Sequence, residues 1–183
     1  MMRIITGKAR GTKLKTLEGE ATRPTSERCK EALFSMLQFD IEGRRVLDLF
    51  AGSGQMGLEA LSRGAESAVL VDKSPDAVKI IQENALKCKL YPSCEIRRSD
   101  YLDYIKRNRG EKFDIIFLDP PYHKGLIYEA MSLIINKNLC SDNCMFVAES
   151  DSSEEIIIPE GFMAVKEKIY GRVKVMIIKR SNI

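Results

Sequence analysis

"RVLDLFAGSGQMGLEAL", residues 45–61, runs from a short β-rich stretch through a loop broken by glycines into a helical pattern. Gly52, Gly54 and Gly57 stand there in G-x-G-x-x-G spacing, and Asp72 closes the next strand-like run twenty residues beyond Gly52. Glycines let the main chain approach a ligand, and the later acid accepts hydrogen bonds from ribose hydroxyls. A lone glycine pattern says little. Strand, loop, helix and acid in this order predict a nucleoside-binding edge.

The chain on either side repeats the unit. "SAVLVDK" (67–73) reads as a second strand, and "SPDAVKIIQENALKCKL" (74–90) as a helix capped by Ser74 with Pro75 in its first turn. "CEIRRSD" (94–100) is a weaker strand, followed by a short helix around "YLDYIKR" (101–107). "KFDIIFLD" (112–119) is continuously apolar, as a central parallel strand covered on both faces should be. "LIYEAMSLIINKNL" (126–139) is helical and "CMFVAES" (144–150) a strand. Such alternation predicts an α/β fold, an open and mostly parallel sheet with helices on both faces. The ending departs from it: "FMAVKEKIYG" (162–171) and "RVKVMIIKR" (172–180) meet at Gly171 with no helix between them, an antiparallel hairpin. Upstream, "RIITGKARGTKLKT" (3–16) suggests a small basic hairpin turning near Gly11. "TSERCKEALFSML" (25–37) follows as a helix, with Thr25 or Ser26 as cap and Ala32, Leu33, Met36 and Leu37 as its apolar stripe. The expected organisation is one domain, a hairpin arm over 1–24 and an α/β core over 25–183.

At 183 residues, 44% hydrophobic and 30% charged, the composition is that of a soluble globular protein. No apolar stretch approaches the roughly 18 residues of a membrane span, and the opening lacks a signal-peptide core, so a cytoplasmic location is expected. The five cysteines form no CxxC pair and His123 is the single histidine, which points to free thiols and no metal site. The net charge of +3 is unevenly spread: residues 1–30 hold a balance of +5 and the remainder −2. A basic opening suits a surface that meets phosphates, or a face that is merely solvated.

The glycines do not say which nucleoside. A dinucleotide would set its pyrophosphate on the helix N-terminus. Asp48, on the strand before the loop, would repel a pyrophosphate and welcome a cationic amino group. S-adenosylmethionine carries an ammonium, a sulfonium and no phosphate, so Asp48 favours it over NAD; alternatively Asp48 bonds the N–H groups of the loop. Asp100 binds an adenine amino group or caps the helix that follows it.

"IIFLDPPYHKG" (115–125) ends the oily run with an acid, two prolines and a tyrosine. The prolines end sheet pairing and leave carbonyls free to point outward. Asp119 would lie on the same sheet edge as Asp48, Asp72 and Asp100, beyond the carboxyl ends of the strands. An exocyclic amino group of a base is a poor nucleophile because its lone pair is delocalised into the ring. Hydrogen bonds from it to the Asp119 carboxylate and the Pro120 carbonyl draw the nitrogen toward tetrahedral geometry and stabilise charge as it attacks a methyl group on sulfur. Tyr122 is placed to stack on an extruded base. His123 and Lys124 meet phosphate or lie in solvent.

"LDLFAGSGQMGLEALSRGA", "VLVDKS" and "FLDPPY" resemble the class I S-adenosylmethionine-dependent methyltransferases that modify exocyclic amines. "RIITGKARGTKLKTLEGEATRPTSERCKEALFSML" and "YGRVKVMIIK" resemble the RsmD-type enzymes, which methylate guanine N2 in small-subunit (16S) ribosomal RNA. The resemblance covers most of the chain. It implies a seven-stranded Rossmann-like sheet, S-adenosyl-L-methionine as donor, and small-subunit ribosomal RNA or its assembly intermediate as substrate of a monomeric enzyme. It assigns Asp119, Pro120, Pro121 and Tyr122 to the target amine. To the cofactor it assigns Asp48, Phe50, Ala51, Gly52, Ser53, Gly54 and Asp72, joined by Lys73, Asp100, Tyr101 and Thr25. Arg10, Lys13, Arg23 and Arg28 become candidates for phosphate contacts, with surface ion pairs as the plain alternative. DNA adenine-N6 and protein-glutamine methyltransferases share the D/N-P-P-Y lip, and no separate DNA-reading domain is visible. From other classes, Asp48 argues against an NAD-dependent oxidoreductase, and the intact lip against a silent RNA-binding protein.

Overall fold

Val46, Leu47 and Leu49 are each 1% exposed or less, and a segment buried on both sides belongs in the middle of a sheet. In the computed structural model, which describes residues 2–17 and 27–181, β1 (Arg45–Asp48) takes that place. β2 (Ser67–Asp72) and β4 (Phe113–Leu118) pair with it in parallel on its two sides. β3 (Cys94–Arg98) lies parallel outside β2, and β5 (Cys140–Asp151) parallel outside β4. β7 (Val173–Arg180) and β6 (Phe162–Tyr170) complete the sheet antiparallel, giving the order β3-β2-β1-β4-β5-β7-β6. The chain moves outward from β1 to β3 and then returns to β4 on the far side. That reversal opens a crevice beyond the carboxyl ends of β1 and β4.

Alternate residues of each strand feed two cores. Val46, Ile115 and Phe117 face α1 (Glu27–Met36), α2 (Gln55–Ser62) and α3 (Pro75–Lys87), where Phe34, Leu58 and Ile81 are buried. Leu47, Ile116 and Leu118 face α4 (Tyr101–Arg107) and α5 (Leu126–Asn136), with Ile105, Met131 and Ile134. Ser74 caps α3, its Oγ accepting from Ala77 N at 3.3 Å, with Pro75 in the first turn, as the sequence predicts. The stripe of α1 differs from expectation. Ala32 and Met36 are only half-buried, while Cys29, Leu33, Phe34 and Leu37 are the buried positions. Phe34 packs on Phe117 at 5.8 Å between ring centroids, burial worth about 1.5–3 kcal/mol for such a side chain. The cap expected at Thr25 or Ser26 lies outside the described residues.

Residues 2–14 fold back on themselves, but through a wide loop. A single antiparallel bridge joins Arg3 and Lys13, and Gly7 (φ +88°) and Gly11 (φ +82°) shape the tip. The tongue is fastened to α2. The N–H groups of Ile5 and Thr6 donate to the Glu59 carboxylate at 2.8 and 3.0 Å, and Ala9 N donates to Ser62 Oγ at 3.0 Å. A β-carbon on Gly7 would stand 1.8 Å from the Ser62 carbonyl oxygen, so this close approach requires glycine. Glu59 is fully buried and also accepts from Arg63 Nε at 2.8 Å and pairs with Lys30 Nζ at 3.1 Å. Burial pushes the Lys30 amine below its ordinary range, and the Glu59 charge pulls it partly back.

β5 begins at Cys140, earlier than the sequence suggests, through a register shift opposite Phe113/Ile115. β6 and β7 form the expected hairpin around Gly171 (φ +62°). β6 is mostly exposed, with a bulge between Ala164 and Lys166. All five cysteines are free, and only Cys94 is more than marginally accessible. Among the described residues no helix is long and apolar enough to cross a membrane.

Candidate active site

A cleft of about 240 Å³ opens at the predicted edge, beyond the ends of β1, β2 and β4. Asp48, Asp72, Asp100 and Asp119 all line it, as the strand-end reading requires. Phe50, Ala51, Gly52 and Ser53 line it as well, as do Lys73, Tyr101 and Pro121. Gly54, Pro120 and Tyr122 stand outside the lining.

Each acid does local work first. Asp48 is 2% exposed and its Oδ2 accepts from Gly57 N at 3.0 Å, which fixes the start of α2. Asp48 thus bonds a main-chain N–H in the first turn of α2 rather than in the loop itself, and it also lines the cleft. Asp72 holds the glycine loop, Oδ2 accepting from Gly52 N at 2.9 Å, while Oδ1 accepts from Ser74 N at 2.8 Å. Asp100 caps α4 through Leu102 N at 2.9 Å and also lines the cleft. Gly54 (φ +80°) begins α2 without a side-chain cap. The third glycine has a packing role, since a β-carbon on Gly57 would lie 2.9 Å from Leu70.

Tyr101 stacks obliquely on Phe50, 5.0 Å between centroids, and its hydroxyl donates to Glu129 Oε2 at 2.7 Å. Burial, then the Glu129 carboxylate, pushes its phenol well above the usual range and keeps it protonated. At the lip, β4 is followed by Asp119, a buried Pro120 and an exposed Pro121. The Tyr122 hydroxyl donates to Glu149 Oε1 at 2.9 Å. Glu149, on β5, is 6% exposed. The Cys29 thiol is pushed up to about 12, by burial first and then by the Glu149 and Asp119 charges. His123 takes a left-handed backbone (φ 60°) and its N–H donates to Glu154 Oε2 at 3.0 Å, whereas Lys124 lines the cleft.

Of the phosphate candidates, Arg10 and Lys13 are exposed on the tongue and Arg28 is exposed in the first turn of α1. Arg23, Thr25 and the rest of the "TRPT" segment lie outside the described residues. Among the described residues no group of His, Cys, Asp or Glu could hold a metal ion. Sequence reasoning missed Met2 and Leu17, which wall the cleft; Ser53 Oγ donates to Met2 Sδ at 3.3 Å. It also missed Glu149, whose one available signal was an acid in an otherwise oily strand, "CMFVAES".

A seven-stranded sheet in this order, with a glycine loop and acid-ended strands at its switch point, is the fold of the class I methyltransferases. The family profile described as "Conserved hypothetical protein 95" matches residues 2–179. The chain is 37% identical over 175 residues to "Ribosomal RNA small subunit methyltransferase D" of Haemophilus influenzae, covering 94% of this chain and 90% of that one. It is 34% identical over 171 residues to the protein of the same name from Buchnera aphidicola, covering 93% and 89%. A solved structure described as "Putative methyltransferase yhhF from Escherichia coli" superposes with a TM-score of 0.87 at 31% identity over 98% of both chains. The chain belongs to this family, that of the RsmD-type methyltransferases.

Proposed function

We propose that the protein transfers a methyl group from S-adenosylmethionine to ribosomal RNA of the small subunit, and that the acceptor is the exocyclic N2 amine of a guanine. The observation that carries the reading is the shared cleft: Asp119 and Pro121 of the lip open onto the same space as Asp48, Asp72 and the glycine loop. The donor set fits S-adenosylmethionine. Four carboxylates around one cleft oppose a pyrophosphate and favour an ammonium, ribose hydroxyls and an amino group on adenine.

When bound, this cofactor supplies an electrophilic methyl group on a sulfonium sulfur. Asp72 meets ribose hydroxyls through the lone pairs its loop contacts leave over, and Asp48 faces the ammonium. Phe50 and Tyr101 offer apolar faces for adenine, beside Asp100. Asp119 and the Pro120 carbonyl accept hydrogen bonds from the target amine and stabilise the positive charge it gains on attack. Glu149 holds the Tyr122 hydroxyl and so fixes the ring against which a base stacks. The exposed cations of the tongue, Arg10 and Lys13, take phosphates of the same RNA.

Transfer of labelled methyl to small-subunit particles lacking the modification, followed by digestion to nucleosides, tests the reading. Label in N2-methylguanosine is the expected result. Label in an adenosine or in protein would overturn the assignment of substrate.

A further inference from the structure

We propose that Asn84 is a positioning residue that ties the cofactor cleft to the basic tongue, so that cofactor occupancy and the grip on RNA are linked. The inference rests on the cofactor and RNA reading above. Asn84 lies within α3, is 1% exposed and does not line the cleft. Its Oδ1 accepts from Lys15 N at 2.8 Å, and its Nδ2 donates to Lys15 O at 3.0 Å. The amide thus meets both main-chain groups of one residue, as a neighbouring strand would. The same Nδ2 donates to Ser53 O at 3.0 Å, in the glycine loop. Only a carboxamide offers this combination of two donors and an acceptor in so small a group.

Both tethered segments wall the cleft. Ser53 lines it directly, and so does Leu17, two residues beyond Lys15. Leu14 N donates to Met2 O at 2.9 Å, and Met2 returns to the cleft to meet Ser53 Oγ. The contacts close a ring that runs from Ser53 through Asn84 and Lys15 to Leu14, Met2 and back to Ser53. Neighbouring turns of α3 reinforce it: Glu83 pairs with Lys15, and Lys87 Nζ donates to Lys13 O at 2.6 Å. The same segment carries Lys13 beside this ring and Arg10 farther out toward the tip. A ligand that contacts Ser53, Met2 and Leu17 therefore stiffens the base of the RNA-facing tongue, and linkage makes the effect reciprocal.

The test uses the full chain with Asn84→Asp, which keeps the shape but loses both donors, and Asn84→Ala. Calorimetry with S-adenosylhomocysteine should show affinity weakened about tenfold in both variants. In the unaltered protein, saturating S-adenosylhomocysteine should tighten binding of a small-subunit RNA fragment about fivefold, and in the variants that factor should fall toward one. Ile134→Val, a fully buried change in the opposite core, controls for general destabilisation and should leave both readouts in place at a similar loss of Tm. Cofactor affinity within twofold of the unaltered protein in both variants would overturn the proposal. So would RNA tightening that persists in them or is missing from the unaltered protein. If the unaltered protein does not bind S-adenosylhomocysteine, the cofactor reading itself fails and this inference falls with it, an outcome distinct from the others.

Discussion

Glu59 and Asp119 are two acids of one chain in opposite settings. Glu59 is fully buried, and its carboxylate is occupied by Ile5 N, Thr6 N, Arg63 and Lys30. It joins the tongue, α1 and α2, and has no capacity left for a ligand. Asp119 follows the buried strand β4 and opens onto a cleft shared with three further aspartates. The contrast teaches how placement divides like side chains: Glu59 turns inward to the tongue and two helices, whereas Asp119 stands at a strand end beside open space. Asp48 and Asp72 stand between the two, bonding the first turn of α2 and the glycine loop respectively while still facing the cleft.

Asp119→Ala should break the contrast most visibly. Turnover is expected to fall by about 10³- to 10⁴-fold, read as labelled methyl per hour, while S-adenosylhomocysteine affinity changes by less than about threefold. A parallel loss of cofactor affinity would erase the division between lip and loop. Glu59→Ala should do the reverse, costing about 3–5 kcal/mol in urea unfolding because Lys30 is left buried and uncompensated. Turnover per folded molecule should drop far less than for Asp119→Ala. Gly7→Ala acts on the same junction through its backbone. With a β-carbon pressed on the Ser62 carbonyl, it should cost about 2 kcal/mol and strip hydrogen-exchange protection from the Gly11 and Leu14 amides. Gly11→Ala, with open space around its β-carbon, should cost only about 1 kcal/mol. Arg10→Glu with Lys13→Glu should weaken RNA binding about tenfold at moderate salt and flatten the log–log salt dependence by about two, leaving stability alone. An unchanged slope would take the tongue off the RNA surface. The smallest effect belongs to Ser74→Ala, about 1 kcal/mol by thermal unfolding, from loss of the α3 cap.

What the sequence discloses is whatever is settled within a few neighbouring residues. The strand–glycine–helix junction, the Ser74 cap, the turn at Gly171 and the lip after β4 all depend on local backbone chemistry, and each is readable. The seven-stranded, mostly parallel sheet with its antiparallel end follows from the alternation and the family resemblance together, but its strand order does not. Features built by distant partners stay hidden. Glu59 meets Ile5 across 54 residues, Asn84 meets Lys15 across 69, and Tyr122 meets Glu149 across 27. Within its helix Glu59 looks like any solvent-facing charge, and only the folded tongue makes it a buried hub. The stripe of α1 slipped for a related reason: Phe34 is drawn inward by Phe117 and by the Arg63 guanidinium over its ring, neither visible from helical spacing.

The outer strand β6 has a consequence for how the molecule behaves in a crowded solution. Its outer backbone edge would invite another chain to add itself, and Met163, Val165 and Ile169 are exposed enough to assist. Lys166, Glu167 and Lys168 follow the bulge after Ala164 in direct succession, so an incoming strand would meet both a kink and a row of charges it must strip of water. Fibre growth by strand accretion is thereby discouraged at the one flank where the sheet is most open.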